Sequence, residues 1–320
     1  MKTKIVYVLV SSEQDIYLEQ AYISMQSLRH HNTDAHIVLL TDKITADSFI
    51  GKRKEKIHLV DELVVVDLSN KFTAQQRSRL LKTSARNLVD GDFLFVDCDT
   101  IITKSLAEID SCKYDIAACE DSHSSFEKNP YRDLCLCHGK ILDWPIEEEL
   151  VYFNSGVIYV KDNQKTRAFY HKWNEIWLDG SHKGVNMDQP SFAKTNYLLG
   201  HQVQILEGVW NCELKHGIKF LKDAKIVHYL CTNTGSNPLF IMNNKAELVK
   251  VKNGEINPII TQCFDDPFIG LTQVSLLICG DDLYYLGSFL YNFFRYRQNK
   301  WYVKVIEKSL LLLQKIKQKI

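Results

Sequence analysis

The chain has 320 residues, 45% of them hydrophobic and 11% aromatic, with few Gly and Pro. That is enough to bury a real core, and it excludes disordered, collagen-like and low-complexity classes. The formal net charge is zero but unevenly spread: residues 291–320 hold eight Lys or Arg against one Glu, so the rest of the chain is net acidic.

KIVYVLV at 4–10 is an unbroken apolar run that reads as a strand, too short and too early for a secretory signal. A helical stretch follows from about Tyr17 to His31, and HIVLLTD (36–42) and ELVVVDL (62–68) read as further strands. Thr73 is placed to cap the next helix, and Gln76 three residues later completes a capping box. That helix sets Leu81, Ala85 and Leu88 on one face and Arg79, Lys82 and Arg86 on another. DFLFVD (92–97), DIAACED (115–121) and FNSGVIYV (153–160) are strands, followed by a helix from about Gln164 to Leu178 and a shorter one from near Met187. HQVQIL (201–206) and AKIVHYL (224–230) read as late strands, and no internal repeat of fixed period is visible.

Nearly continuous apolar strands between helices predict an α/β fold: a mostly parallel, Rossmann-like sheet with helices on both faces. In such sheets the ligand site lies beyond the carboxyl ends of the strands, so the polar residues at those ends matter most. Asp97-Cys98-Asp99 follows directly on FLFV. Two carboxylates at this spacing can share Mn2+ or Mg2+, although a turn or a helix cap uses Asp equally well. His228 ends AKIVH, where a lone histidine is ordinarily a core residue; it is read as a third ligand because Asp97 and Asp99 are expected to end another strand of the same sheet. Asp188-Gln189 opens a helix after a Gly-containing loop, either as N-terminal charge or as contacts to a bound sugar. Asn154-Ser155-Gly156 starts a strand, with Gly156 allowing close approach to the backbone. Arg79 and Lys82 form either a solvated basic face or cations for a diphosphate.

The nine cysteines are odd in number and irregular in spacing, which reads as free thiols, several of them buried, in a reducing compartment. Cys135-Leu136-Cys137-His138 lacks the spacing and the second pair of a structural zinc site. No apolar run reaches the roughly 18 residues of a membrane span.

Taken together, KIVYVLVSSEQDIYLEQAYISMQSL, RSRLLKTSARNLVDGDFLFVDCDTIITKSL, FNSGVIYV, NMDQPSFAK and KIVHYL resemble, in that order, a nucleotide-diphospho-sugar glycosyltransferase of the GT-A type. Family 8 and similar bacterial polysaccharide enzymes match best. The resemblance implies a hexose-type sugar moved from a nucleotide-diphosphate donor, with uridine as the expected base, to a saccharide or lipid-linked saccharide. It implies retention of anomeric configuration and Mn2+ or Mg2+ as cofactor. Asp97 and Asp99 would hold the metal, with His228 completing the protein ligands. Ser11, Ser12 and Tyr17 would meet the nucleoside. Lys82 and Arg79 would contact the donor phosphates or sugar, and Asp97 and Cys98 would also line the donor. Asp121, Asn154, Asp188 and Gln189 would surround the transferring sugar, with Asp188 and Gln189 in the catalytic position. Two departures stand out. Family 8 often has an acidic residue where this chain has Ser11-Ser12, and a Gly and Lys-Pro-Trp segment where this chain reads HYLCTNTGSNP.

Three other functions compete. Asp97-Cys98-Asp99-Thr100 approaches a phosphatase nucleophile motif but fails at Ile101. A nucleotidyltransferase would carry a Gly-rich basic loop where SSEQDIY stands. A non-catalytic sugar-nucleotide or carbohydrate-binding protein is the main alternative.

The expected organisation is a catalytic domain over 1–235, a connecting segment over 236–280 and a basic amphipathic helical tail over 281–320. In the tail, Leu310, Leu313 and Ile316 share one side and Lys308, Lys315 and Lys319 another. That pattern predicts contact with an anionic membrane surface, as a cytoplasmic protein peripheral on the inner face, or packing on the catalytic domain or on a second copy in a homodimer. No nucleic-acid partner is expected.

Overall fold

The computed structural model describes residues 1–230, 241–271, 297, 300–306 and 308–309. In chain order the first half comprises β1 (Lys4–Leu9), α1 (Tyr17–His31), β2 (Ile37–Asp42), α2 (Lys43–Asp47), α3 (Lys52–Lys56), β3 (Glu62–Val66), α4 (Ala74–Leu88), β4 (Phe93–Val96), β5 (Thr100–Ile102) and β6 (Ile116–Glu120). The second half adds α5 (Arg132–Ile141), β7 (Phe153–Val160), α6 (Gln164–His182), α7 (Asp188–Leu198), β8 (Val203–Ile205), β9 (Cys212–Glu213), β10 (Ile226–His228), α8 (Lys245–Lys252) and α9 (Pro258–Asp265).

Seven strands form the main sheet in the order β3-β2-β1-β4-β7-β6-β8. All neighbours run parallel except β7, which is antiparallel to both β4 and β6. Both faces are covered, which is why the strands read as apolar without alternation. In β1, Ile5, Tyr7 and Leu9 point into one core with Leu18, Met25 and Leu28 of α1. Val6 and Val8 point into the other, with Leu81 and Ala85 of α4 and Phe169 and Trp173 of α6. The mostly parallel sheet with helices on both faces is the fold expected.

One expectation is corrected. AKIVHYL does not join the main sheet; β10 lies in a separate three-stranded sheet, β5-β10-β9. The cause is that the chain leaves the main sheet at Asp97 and immediately starts β5, whose antiparallel partner is β10. This small sheet has its own core, to which Ile23 of α1, Leu248 and Val251 of α8 and Ile260, Cys263 and Phe264 of α9 contribute. Residues 241–271 thus pack on the same body as the site-bearing strands.

Of the tail, residues 301–306 are helical. The stripe of Leu310, Leu313 and Ile316, and most of 281–320, lie outside the described residues. Among the described residues no helix is long and apolar enough to cross a membrane.

Candidate active site

Register brings the first three groups together. β10 pairs with β5 so that His228 faces Thr100, and the Tyr229 amide donates to the Asp99 carbonyl at 3.1 Å. The imidazole is therefore set beside the acidic pair, with Nε2 at 3.2 Å from Asp99 Oδ1 and 4.0 Å from Asp97 Oδ2. One ligand atom from each of the three lies within 4.8 Å of the other two. Two hard oxygens and one imidazole nitrogen converging in this way fit a divalent ion such as Mn2+ or Mg2+. The ring has room because Gly156 lacks a side chain; a Cβ there would fall 2.3 Å from His228 Cε1. Burial pushes the Asp97 carboxyl up despite Lys82 and His228. Burial works against a charged His228, yet Asp99 and Asp97 outweigh it and its pKa is raised. Both shifts report negative charge crowded into a poorly solvated cleft, which a cation relieves.

Helix α4 brings the positive charge. Lys82 is only 3% exposed, with Nζ at 3.2 Å from Asp97 Oδ1 and 3.0 Å from Asp188 Oδ2, and its ammonium lies over the Phe95 ring. Arg79 Nε is 2.8 Å from Asp188 Oδ1. This face of α4 is thus turned toward the site, with Lys82 buried and Arg79 partly exposed. Burial would raise the Asp188 carboxyl, but Arg79 and Lys82 win and hold it well below the usual carboxylate range. Asp188 in turn raises Arg79. Asp188 is fixed at the start of α7 by Ser155 Oγ, which donates to its carboxylate at 2.8 Å, and by Trp173 Nε1, which donates to its carbonyl at 3.0 Å. Arg86, one turn on from Lys82, is fully buried and donates to the Gly91 and Val89 carbonyls, a helix-end role away from the site.

A buried amide network closes the third side. Asp121 Oδ1 accepts Asn154 Nδ2 at 3.1 Å and Gln189 Nε2 at 2.9 Å, while Oδ2 accepts Asn129 Nδ2 at 2.7 Å. Asn154 starts its strand yet reaches this end because β7 runs antiparallel, so its beginning lies with the carboxyl ends of its neighbours. Asn154 Oδ1 accepts the Gly156 amide at 2.8 Å and Asn211 Nδ2 at 3.0 Å. Asn211 Oδ1 lies 2.9 Å from His228 Nδ1.

Arg79, Lys82, Asp97, Asp99, Asp121, Asn154, Asp188, Gln189 and His228 thus form one connected cluster. Ser11 and Ser12 stand apart in a loop pinned by Asp15: Ser11 Oγ donates to Asp15 Oδ1 at 2.7 Å and accepts from Arg53, and Ser12 Oγ donates to Asp15 Oδ2 at 3.0 Å. Tyr17 follows that loop and is among the groups acting on the Arg79 charge. The Cys98 thiol is pushed far up by burial and donates to the Val8 carbonyl at 3.3 Å, so it ties the acidic pair to β1. Cys135 is buried and Cys137 exposed, so the two thiols of α5 do not share a face.

Sequence reasoning missed Asn211, Asn129 and the part of Ser155. Asn211 sits between Trp210 and Cys212, both buried, and its only signal is an amide inside an apolar run.

The family model described as nucleotide-diphospho-sugar transferase matches residues 70–252, more than half of the chain. No curated protein matches the sequence. A solved structure of the galactosyltransferase LgtC with donor and acceptor sugar analogs superposes with a TM-score of 0.50 at 12% identity, covering 80% of this chain and 97% of that one. An active-site mutant of LgtC gives 0.51 at 14% identity, covering 79% and 95%. At this identity the likeness establishes the GT-A glycosyltransferase fold.

Proposed function

The chain belongs to the nucleotide-diphospho-sugar transferase family, and we propose that it moves a hexose-type sugar from a uridine-diphosphate donor to a saccharide or lipid-linked saccharide, with a divalent metal and with retention. The observation that carries this reading is the convergence of Asp97, Asp99 and His228 beside the buried Lys82 and the partly exposed Arg79.

Glycosyl transfer puts negative charge on the leaving diphosphate and positive charge on the sugar ring. When bound by Asp97, Asp99 and His228, a divalent ion supplies Lewis-acid stabilisation of the diphosphate oxygens. Lys82 and Arg79 offer fixed positive charge for the same oxygens, already oriented by Asp188. Because both Asp188 oxygens face cations, its main work is to hold them in place. Gln189 turns Nε2 to Asp121, which leaves Oε1 as the atom it can present to the electron-poor ring. We assign Asp121 and Asn154 to the sugar side of the site, where their network holds Gln189. Tyr17 is assigned to stack on the base, with Ser11, Ser12 and the Asp97-Cys98 backbone lining the nucleotide.

We assign the basic C-terminal segment to an anionic membrane surface on the inner face, where a lipid-linked acceptor would wait. In its described part Trp301 and Val305, one helical turn apart, are 75% and 53% exposed.

The test is a panel of nucleotide sugars screened for hydrolysis. A uridine-diphosphate hexose should be cleaved with Mn2+, the cleavage lost in EDTA and restored by Mn2+. Undiminished cleavage in EDTA would refute metal dependence, and no cleavage of any donor by folded protein would favour a non-catalytic binding protein.

A further inference from the structure

We propose that Asn211 is a positioning residue that keeps a proton on His228 Nδ1, so that Nε2 is the nitrogen left to join Asp97 and Asp99 on an ion. The inference rests on the metal reading above and concerns how the chain prepares one ligand for that ion.

The direction of every amide in the network follows from one donor that cannot be reversed. The Gly156 backbone N–H donates at 2.8 Å to the side chain of Asn154, so the atom facing it is Oδ1. Asn154 then presents Nδ2 to Asp121, an acceptor that takes N–H donors from Asn154, Gln189 and Asn129. With Asn154 Oδ1 turned to Asn211 at 3.0 Å, Asn211 must bring its own Nδ2 there. Asn211 Oδ1 is left facing His228 Nδ1 at 2.9 Å. A carbonyl oxygen only accepts, so Nδ1 must be the protonated nitrogen. The position of the proton on one imidazole nitrogen is set by the bond the other makes, which is how outer groups prepare a histidine ligand. Asn211 is fully buried, His228 is 3% exposed and Asn154 5% exposed, so solvent does not compete with these bonds. The ring cannot tilt away toward β7, since Gly156 already touches it. The anchor of the sugar-side network, Asp121, is thus connected through two amides to the metal-side histidine.

The Nδ1 proton is read directly in the wild-type, metal-free protein by nitrogen NMR of the histidine side chains. His228 is assigned by loss of its signals in His228→Gln. The expected result is a protonated Nδ1, whether or not Nε2 also carries a proton toward Asp99 in the absence of an ion; an unprotonated Nδ1 overturns the inference, whatever any variant does. Two variants then test the cause. Asn211→Ala removes the acceptor, and should shift the Nδ1 signal and weaken Mn2+ binding, read by titration calorimetry, about 10- to 100-fold. Asn211→Asp keeps an acceptor for Nδ1 but loses the donor to Asn154, so it should retain the Nδ1 proton and lose less Mn2+ affinity than Asn211→Ala. Unchanged Nδ1 signal and affinity in a folded Asn211→Ala would also overturn the inference. Failure of the wild-type chain to bind Mn2+ would instead overturn the metal reading, and the Nδ1 measurement would still decide the part played by Asn211.

Discussion

Single residues in the cluster divide by the sign of the field they feel. Asp97 carries a carboxyl that burial pushes up, so the fold gains little from its charge. Replacing it, or Asp99, with Ala should abolish Mn2+ binding and transfer while changing stability by no more than about 1 kcal/mol; calorimetry and thermal melts check this together. Asp188 is the opposite case. Its carboxyl is pulled down by Arg79 and Lys82, and Lys82 is almost wholly buried. Asp188→Asn takes from both Lys82 and Arg79 the carboxylate they share and should cost about 3 kcal/mol at neutral pH. The sign with pH follows from the lowered pKa. The contribution of Asp188 is fully present above the unfolded value of about 3.9 and is lost as pH falls below it toward the folded value. The difference between wild type and variant in urea unfolding should therefore narrow in acid. A gap that holds constant down to pH 3 or so would mean that packing, not charge, accounts for it.

At the level of elements, two short features place the chemistry. Helix α4 begins as expected, with Thr73 Oγ1 accepting from the Gln76 amide and the Gln76 side chain accepting from the Thr73 amide. Thr73→Ala should lower stability by about 1 kcal/mol and leave Mn2+ affinity unchanged, because the cap lies two turns from Lys82. Strand β7 matters through Gly156, whose missing side chain is the space occupied by the His228 ring. Gly156→Ala should weaken Mn2+ binding by about tenfold or more, with circular dichroism unchanged, since the ring must move from its ligand position. The capping box was readable because it lies within four consecutive residues. The reversed direction of β7 was not, because an apolar run buried on both faces reads the same either way along the chain.

For the whole molecule, the open question of the basic segment becomes a partition experiment. Each Lys or Arg near an anionic surface contributes only about 1 kcal/mol, and that part is screened by salt. The full chain should pellet with anionic liposomes at low salt and much less at high salt. Trp301→Asp combined with Val305→Asp should reduce pelleting at both. Binding that ignores salt and both substitutions would refute the assignment and turn attention to packing between two copies of the chain. By itself the sequence determined the alternation of strands and helices, the α4 cap, the acidic pair at a strand end and the inward-facing cations as one of two readings. These follow from periodicity and short-range chemistry within single segments. The tertiary structure alone decided that α4 turns Lys82 onto Phe95 and between two carboxylates. It alone decided that His228 meets Asp99, 129 residues away, through a second sheet that the apolar pattern of AKIVHYL could not distinguish from the first. It also decided the place of Asn211, whose partners come from other strands. Pairing between distant strands depends on register and on where the chain leaves a sheet, and neither leaves a mark in the residues of one strand.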